Sequence, residues 1–500
     1  MIKIGWATRN VATTDRVGIL GQFYQRISTG VLDEILVTAL VIEREDVSIM
    51  VSADMVSIGD KIIFDIRDAV KKKEPEIPVE NIMMNATHTH TSPRYDLKTG
   101  FDEIETEEKP EAPEKYRSFF VDKTSDAIVE AYRSRSAGSF AYGYGSAETG
   151  VSRRVIYMDD YGMRNTARPD SLAPNGHGVM YGKTNDELFS GYEGGIDTNV
   201  YFLFTFDDNE ELTGCIINAG CPAQCGEFER YLSSDYWYFV RKFIREKYGN
   251  IHILPQCSAA GDISPHRLHA INARDRRHRL KYSDDPVYSV NAAGAFKPNE
   301  YYNKIDIAER VFHAFEEVYS WAPKEKYYDV PIIHRVMDAE LDAWEITEEQ
   351  YLQAKTEYDA YAKDGGFNSD SMVANEDEKK TIYASVMRRY SSVIQRYENK
   401  KDKVTVEIHN VRIGDVSFSS SPYELYLDYQ HRIQARSPFI QSFIVQLAAS
   451  TGVAGYLPTV RAKENKGYSA IMYSCTTSPK GGDQLVDITI SELKKLSSYR

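Results

Sequence analysis

The sequence predicts an α/β fold in which mixed β-sheets are flanked by helices, with a helical insertion in the second half. Three observations carry this. Over the first 270 residues, short runs rich in Val, Ile and Phe alternate with longer stretches whose apolar residues recur every three or four positions, the respective signatures of strands and amphipathic helices. From about 300 to 402 the pattern is helical and highly charged. Strand-like runs then return before a last helix.

In chain order, strands are expected at 35–43, 47–56, 81–86, 140–145, 200–206 and 212–219, and helices at 60–73, 114–135 and 235–248. The last of these helices buries Tyr236, Phe239, Val240, Phe243 and Ile244. The segment 156–198 is rich in Gly, Asn and Asp without periodicity and reads as long loops over a site. Helices follow at 304–320, 347–362 and 380–401, with 363–378 as a loop between the last two. Strands at 404–413 and 416–420, a helix at 424–436, a strand at 440–449 and a helix at 484–497 complete the chain. Neither an internal repeat nor a Pro/Ser-rich linker interrupts it, so residues 1–500 are expected to form one domain, with 300–402 as a helical insertion or subdomain within it.

Bulk properties narrow the function classes. Of 500 residues, 42% are hydrophobic and 27% charged, ordinary for a globular protein with a sizeable core. A net charge of −14 argues against a nucleic-acid or anionic-membrane surface. The basic run 274–279 reads as a solvated face. No apolar run approaches ~20 residues, so no transmembrane helix is expected. The N-terminus lacks the charged, apolar and cleavage regions of a signal peptide, which predicts a cytoplasmic location. Five cysteines in a chain of this length do not make a disulfide framework and read as reduced thiols. The 35 tyrosines against 20 phenylalanines suit a polar ligand, or simply partly wet strands and helices. A small-molecule substrate is the expected partner, with self-association left open.

The densest chemistry lies in Asn85-Ala86-Thr87-His88-Thr89-His90-Thr91-Ser92-Pro93. An H-x-H pair leaving a strand puts both imidazoles on one side of the backbone, because strand side chains alternate with period 2. Neutral imidazole is the commonest metal ligand.

That segment resembles the zinc-binding core of the neutral, non-lysosomal ceramidases, which hydrolyse an amide bond. Further blocks occur in the order that family shows: 4–6, 18–21, 36–43, 49–55, Ser152-Arg153-Arg154, 214–224, Ser233-Ser234-Asp235, 256–265, Ser421-Pro422-Tyr423-Glu424-Leu425 and Gly455-Tyr456-Leu457-Pro458-Thr459. The resemblance spans roughly residues 1 to 495 and implies the fold of the ceramidase catalytic domain. Full-length members carry a further β-sandwich domain, which this chain is expected to lack.

The resemblance implies a zinc ion held by His88, Glu424, Tyr456 and a second histidine. Cys221 stands at that histidine's position, and a deprotonated cysteine is itself a strong zinc ligand. On its own residue type, Cys221 equally reads as a small buried apolar residue. Cys225 and Glu227 are alternatives. Glu424 also reads as a helix N-terminal acid and Tyr456 as a packing residue. A thiolate in the metal sphere would make zinc a weaker Lewis acid. The resemblance places His90 and Arg153 near the substrate, with Arg154 nearly as good a candidate as Arg153. Ser264 falls on a serine proposed as nucleophile in that family, yet no Ser-His-Asp order accompanies it. A role in holding a substrate hydroxyl or phosphate-like group is expected instead. His266 and His269 read as exposed loop or helix residues.

The expected function is zinc-dependent hydrolysis of a C–N bond in a small N-acyl compound. A zinc-dependent carbohydrate-active enzyme, hydrolase or lyase, and a non-catalytic metal- or ligand-binding relative are the alternatives.

Overall fold

In the computed structural model the described residues are 1–95, 101, 104–164, 176–285, 298–364, 375–450 and 455–499. Residues 165–175 of the expected loops over a site and most of the expected loop at 363–378 lie outside them.

The main sheet is built from β1 (Lys3–Asn10), β2 (Leu36–Glu43), β3 (Val47–Ala53), β4 (Ile82–Ala86), β5 (Ser136–Ser146), β6 (Asn199–Asp207), β7 (Leu212–Ala219) and β8 (His252–Cys257), in the order β8-β7-β6-β5-β1-β2-β3-β4. Only the two outer pairs, β3 with β4 and β7 with β8, are parallel. The sheet is therefore mixed, as expected. Alternation along each strand feeds two different cores. Ala39, Val41 and Val51 face the helices α1 (Asp60–Lys73) and α2 (Pro113–Arg133), while Phe202, Phe204 and Ile217 face α3 (Tyr236–Tyr248) and α4 (Pro298–Tyr319). The intervening residues Trp6, Leu40, Met50 and Leu203 face the other way, onto a second sheet.

That second sheet has the order β9-β10-β11-β12, from β9 (Ile332–Asp342), β10 (Lys403–Ile413), β11 (Val416–Ser420) and β12 (Gln441–Val445). Phe418 and Phe443 stack at 4.3 Å within the layer between the sheets. Such a pair adds about 0.5–1.5 kcal/mol beyond its area burial. The far face of the second sheet is covered by α7 (Leu427–Arg436), α8 (Pro479–Ser498) and the hairpin of α5 (Glu348–Asp364) and α6 (Glu376–Glu398). Two sheets thus pack face to face between two helical layers.

The stretch 300–402 is less uniform than its charge pattern predicts. Its first helix, α4, packs on the main sheet, and β9 is a core strand. The part that stands out as an insertion is the α5–α6 hairpin. No helix among the described residues is long and apolar enough to cross a membrane.

Candidate active site

The histidine segment follows β4, where the sheet ends against the loop 220–235. That loop engages parts of its backbone and two of its hydroxyls. The Thr89 and Thr91 hydroxyls both donate to the Ser233 carbonyl at 2.8 Å, and Ala223 N–H donates to the Thr87 carbonyl at 3.2 Å. Asp235 holds the loop in turn, accepting from Cys225 N at 3.2 Å and Gly226 N at 2.9 Å while capping α3 through Tyr236 N.

The two imidazoles do meet, with Nε2 atoms 3.3 Å apart, but not by strand alternation. The strand stops at Ala86, and His88 adopts φ +64°, a left-handed conformation uncommon for any residue but glycine. His88 Nδ1 lies 2.7 Å from the Val56 carbonyl. A carbonyl can only accept, so in the neutral ring Nδ1 carries the proton and Nε2 presents a lone pair. That lone pair faces Glu424 Oε2 at 3.6 Å.

Glu424 and Tyr456 are placed by a two-residue parallel ladder, Glu424–Leu425 against Tyr456–Leu457, in which they are register partners. The expected helix start at 424 is corrected here: α7 begins at Leu427, so no helix N-terminus favours the Glu424 charge. Gly261 backs this ladder, where a Cβ would come within 2.3 Å of the Glu424 carbonyl. Burial, then the Glu424 charge, pushes the Tyr456 phenol well above its ordinary value and keeps it protonated.

Arg153 closes the cluster. Its Nη2 donates to the Gly261 carbonyl at 2.9 Å and lies 3.2 Å from Tyr456 Oη and 3.4 Å from Glu424 Oε2. Its Nη1 lies 3.3 Å from Tyr181 Oη. Burial works against the charge, but Tyr456, Tyr181 and Glu424 more than offset it, so the cation persists at any working pH. Arg154 points elsewhere, gripping Glu193 and the Lys466 and Tyr468 carbonyls. The geometry thus separates two arginines that the sequence leaves nearly equal.

His90 sits on the other side of His88. Gln224 Nε2 lies 2.5 Å from its Nε2, and Glu227 Oε2 is 3.6 Å from its Nδ1. Burial, then His88, Arg26 and Arg153, depress its pKa far below the ordinary imidazole value, so the ring is neutral. His266, expected to be exposed, is largely buried. Its Nε2 donates to the Gln224 carbonyl at 2.9 Å and lies 3.5 Å from Glu227 Oε1, and the Glu227 charge overcomes burial to raise its pKa. His269 is exposed, as expected, and touches the Tyr192 hydroxyl.

Ser264 lies at the edge of the cluster, its Oγ accepting from His266 N at 3.1 Å and 3.4 Å from Tyr181 Oη. Cys221 is not brought to the cluster. Its Sγ is 3.4 Å from the Pro222 carbonyl and packs in the apolar core beneath α3, where burial pushes the thiol well above its ordinary pKa. Cys225 shares that core.

The structure therefore gathers His88, His90, Arg153, Glu424 and Tyr456. Gln224, His266, Tyr181 and the loop around Gly21 were not legible as site residues, because each takes its place through backbone geometry set far away in sequence. Among the described residues, no group of three or more His, Cys, Asp and Glu side chains converges as a metal cluster. Counting the phenol changes the donor chemistry. An imidazole lone pair faces a carboxylate oxygen with Tyr456 beside it, and such facing electron-rich atoms are favourably bridged by a cation. His88, Glu424 and Tyr456 are therefore the described residues that could hold such an ion.

Comparison with solved structures gives matches over nearly the whole chain. A structure described as ceramidase complexed with C2 aligns with TM-score 0.65 and 16% identity, covering 99% of this chain and 75% of that one. Neutral ceramidase from Pseudomonas aeruginosa aligns with TM-score 0.63 and 17% identity, again over 99% and 75%. The chain has the neutral ceramidase fold. No protein-family model matches the chain, and no curated protein matches it by sequence. The ceramidase fold accounts for the block order: its segments come from opposite ends of the chain, and the two packed sheets bring them to one place.

Proposed function

We propose that the protein is a ceramidase-like hydrolase that cleaves the C–N bond of a small N-acyl compound with a zinc ion held by His88, Glu424 and Tyr456. The observation that carries this reading is the buried convergence of Arg153, Glu424, Tyr456 and the imidazoles of His88 and His90 within the ceramidase fold. When bound, zinc would polarise the acyl carbonyl and ease ionisation of water. The protein's own groups do the rest. Arg153, a permanent cation screened from solvent, offers N–H donors to the charge that develops on the acyl oxygen. The Val56 carbonyl holds His88 in the tautomer that leaves Nε2 free. Neutral His90 flanks the position where the departing nitrogen needs a proton. Cys221 stays outside this set.

The test combines elemental analysis with hydrolysis of a panel of N-acyl amino acids, N-acyl amines and N-acyl sphingosine. Wild type should carry about one zinc per chain, and His88→Ala and Glu424→Ala should each lose it together with activity. Full metal retention in both variants, or no amide hydrolysed by the zinc-loaded protein, would sink the reading.

A further inference from the structure

The α5–α6 hairpin reaches the site through one loop. The Ser385 hydroxyl on α6 donates to the Phe23 carbonyl at 2.6 Å, and Gln25 N donates to Thr381 Oγ1 at 3.0 Å. The same loop lays Gly21 over the His90 ring and ties Gln22 to the Glu227 carbonyl at 3.1 Å. One side chain from this helix, Arg389, reaches the residues packed against Tyr456. Its guanidinium carbon lies 4.9 Å from the Phe23 ring centre and 5.2 Å from that of Tyr468. Tyr468 in turn meets the Tyr456 ring edge-on at 5.5 Å. Arg389 Nη2 donates to the Ser474 hydroxyl at 3.2 Å, and the Ser474 carbonyl accepts from Tyr456 N at 3.1 Å. The guanidinium therefore sits one residue away from Tyr456 by two independent routes.

Among the described residues, no carboxylate lies within ion-pair distance of Arg389, whereas other arginines are paired: Arg153 with Glu424, Arg154 with Glu193 and Arg230 with Glu378. A half-buried guanidinium stacked between two rings, with its charge uncommitted, has the form of an anion receptor. Phe23 is 41% exposed, so this corner opens to solvent.

We propose that Arg389, flanked by Phe23 and Tyr468, anchors a carboxylate on the substrate, so that the enzyme acts on amides of the N-acyl amino acid class. This rests on the hydrolase reading above and narrows it. Water's oxygen bonds to the acyl carbon, the C–N bond breaks with its electron pair going to nitrogen, and the nitrogen takes a proton. A fatty acid and a free amino acid leave. Arg389 holds the amino acid's carboxylate throughout, by the paired N–H donors that match a carboxylate's two oxygens.

The test compares N-lauroylglycine with N-lauroylglycinamide, which differ only in the charge of the carboxyl end. Wild type should favour the anionic compound in KM, and Arg389→Gln should shrink that preference roughly 10- to 100-fold, the range expected for loss of one charge-assisted interaction. Arg389→Lys, which keeps the charge without the fork, should fall between. Calorimetric binding of both compounds to wild type and Arg389→Gln separates this inference from the hydrolase reading. Charge-selective binding that depends on Arg389 without turnover would remove the hydrolase and keep the anchor. Equal binding of both compounds, or a preference unchanged in Arg389→Gln, would overturn the anchor whether or not either amide is hydrolysed.

Discussion

The thiol of Cys221 points at a backbone carbonyl from within an apolar core, apart from His88, Glu424 and Tyr456. Cys221→Ser should therefore retain the metal, at the cost of about 1–3 kcal/mol for burying a hydroxyl in place of sulfur. Metal lost from a variant that still folds would return the sulfur to the ligand set. Gly21 is the opposite case, a residue with no chemistry of its own on which geometry depends. At φ +106° a Cβ there would lie 2.5 Å from His90 Cγ. Gly21→Ala should force the ring aside and lower kcat by at least tenfold, with a stability loss of about 1–3 kcal/mol. Unaltered kcat would mean that the His90 position is immaterial. Both positions show what a sequence conceals at this scale. A cysteine in a ligand's place and a glycine in a loop look alike whether or not the neighbouring ring or metal depends on them.

The elements were legible where one face of a strand or helix is buried and the other is wet, as in α1 and α3, whose expected bounds of 60–73 and 235–248 agree with the structure to within a residue. They were not legible where charge sits on a core strand. β9 carries His334, Arg335, Asp338, Glu340 and Asp342, and only packing against β10 on one edge and against the main sheet on one face explains its burial pattern. The short ladder of Glu424 and Tyr456 was equally hidden. Two residues are too few to show a period, and the helix that follows at Leu427 makes the glutamate look like part of it. The histidine pair was readable because His88 and His90 lie two positions apart in one segment. Its closure by Gln224 was not, because the loop 220–235 meets the histidines only after separate elements pack.

At the scale of the whole molecule, the two sheets are cross-linked by a buried polar relay. The Ser48 hydroxyl meets His334 Nδ1 at 3.2 Å, His334 Nε2 meets His409 Nδ1 at 2.9 Å, and His409 Nε2 meets Glu407 at 3.2 Å. Glu407 pairs bidentately with Arg67 of α1 at 2.6 and 3.1 Å. Burial holds both histidines below the ordinary imidazole pKa, so the unfolded chain binds protons that the folded chain refuses. Their contribution to stability is present above pH ~6.5 and is lost as pH falls from there towards the folded values. Glu407 acts in the same direction at lower pH. Burial opposes its charge, but His409 and Arg67 win and hold it at about 2, so its contribution is lost as pH falls from ~4.5 through that value. Urea unfolding should accordingly show stability declining from pH 7 to 5 and again below 4.5. Replacing His334 and His409 by Gln should flatten the first decline and reduce the second without abolishing it, because Arg67 still pairs with Glu407. An undiminished first decline in that variant would place its origin elsewhere.

The left-handed backbone at His88 has a consequence for any attempt to improve this protein. Holding a β-carbon at φ +64° costs on the order of 1–2 kcal/mol, and glycine or asparagine would relieve that strain. If His88 serves the proposed hydrolysis, selection for thermal resilience and selection for turnover pull this one position in opposite directions. A library screened on melting temperature alone would tend to discard the imidazole, and its hardiest members would be those that had given up the reaction.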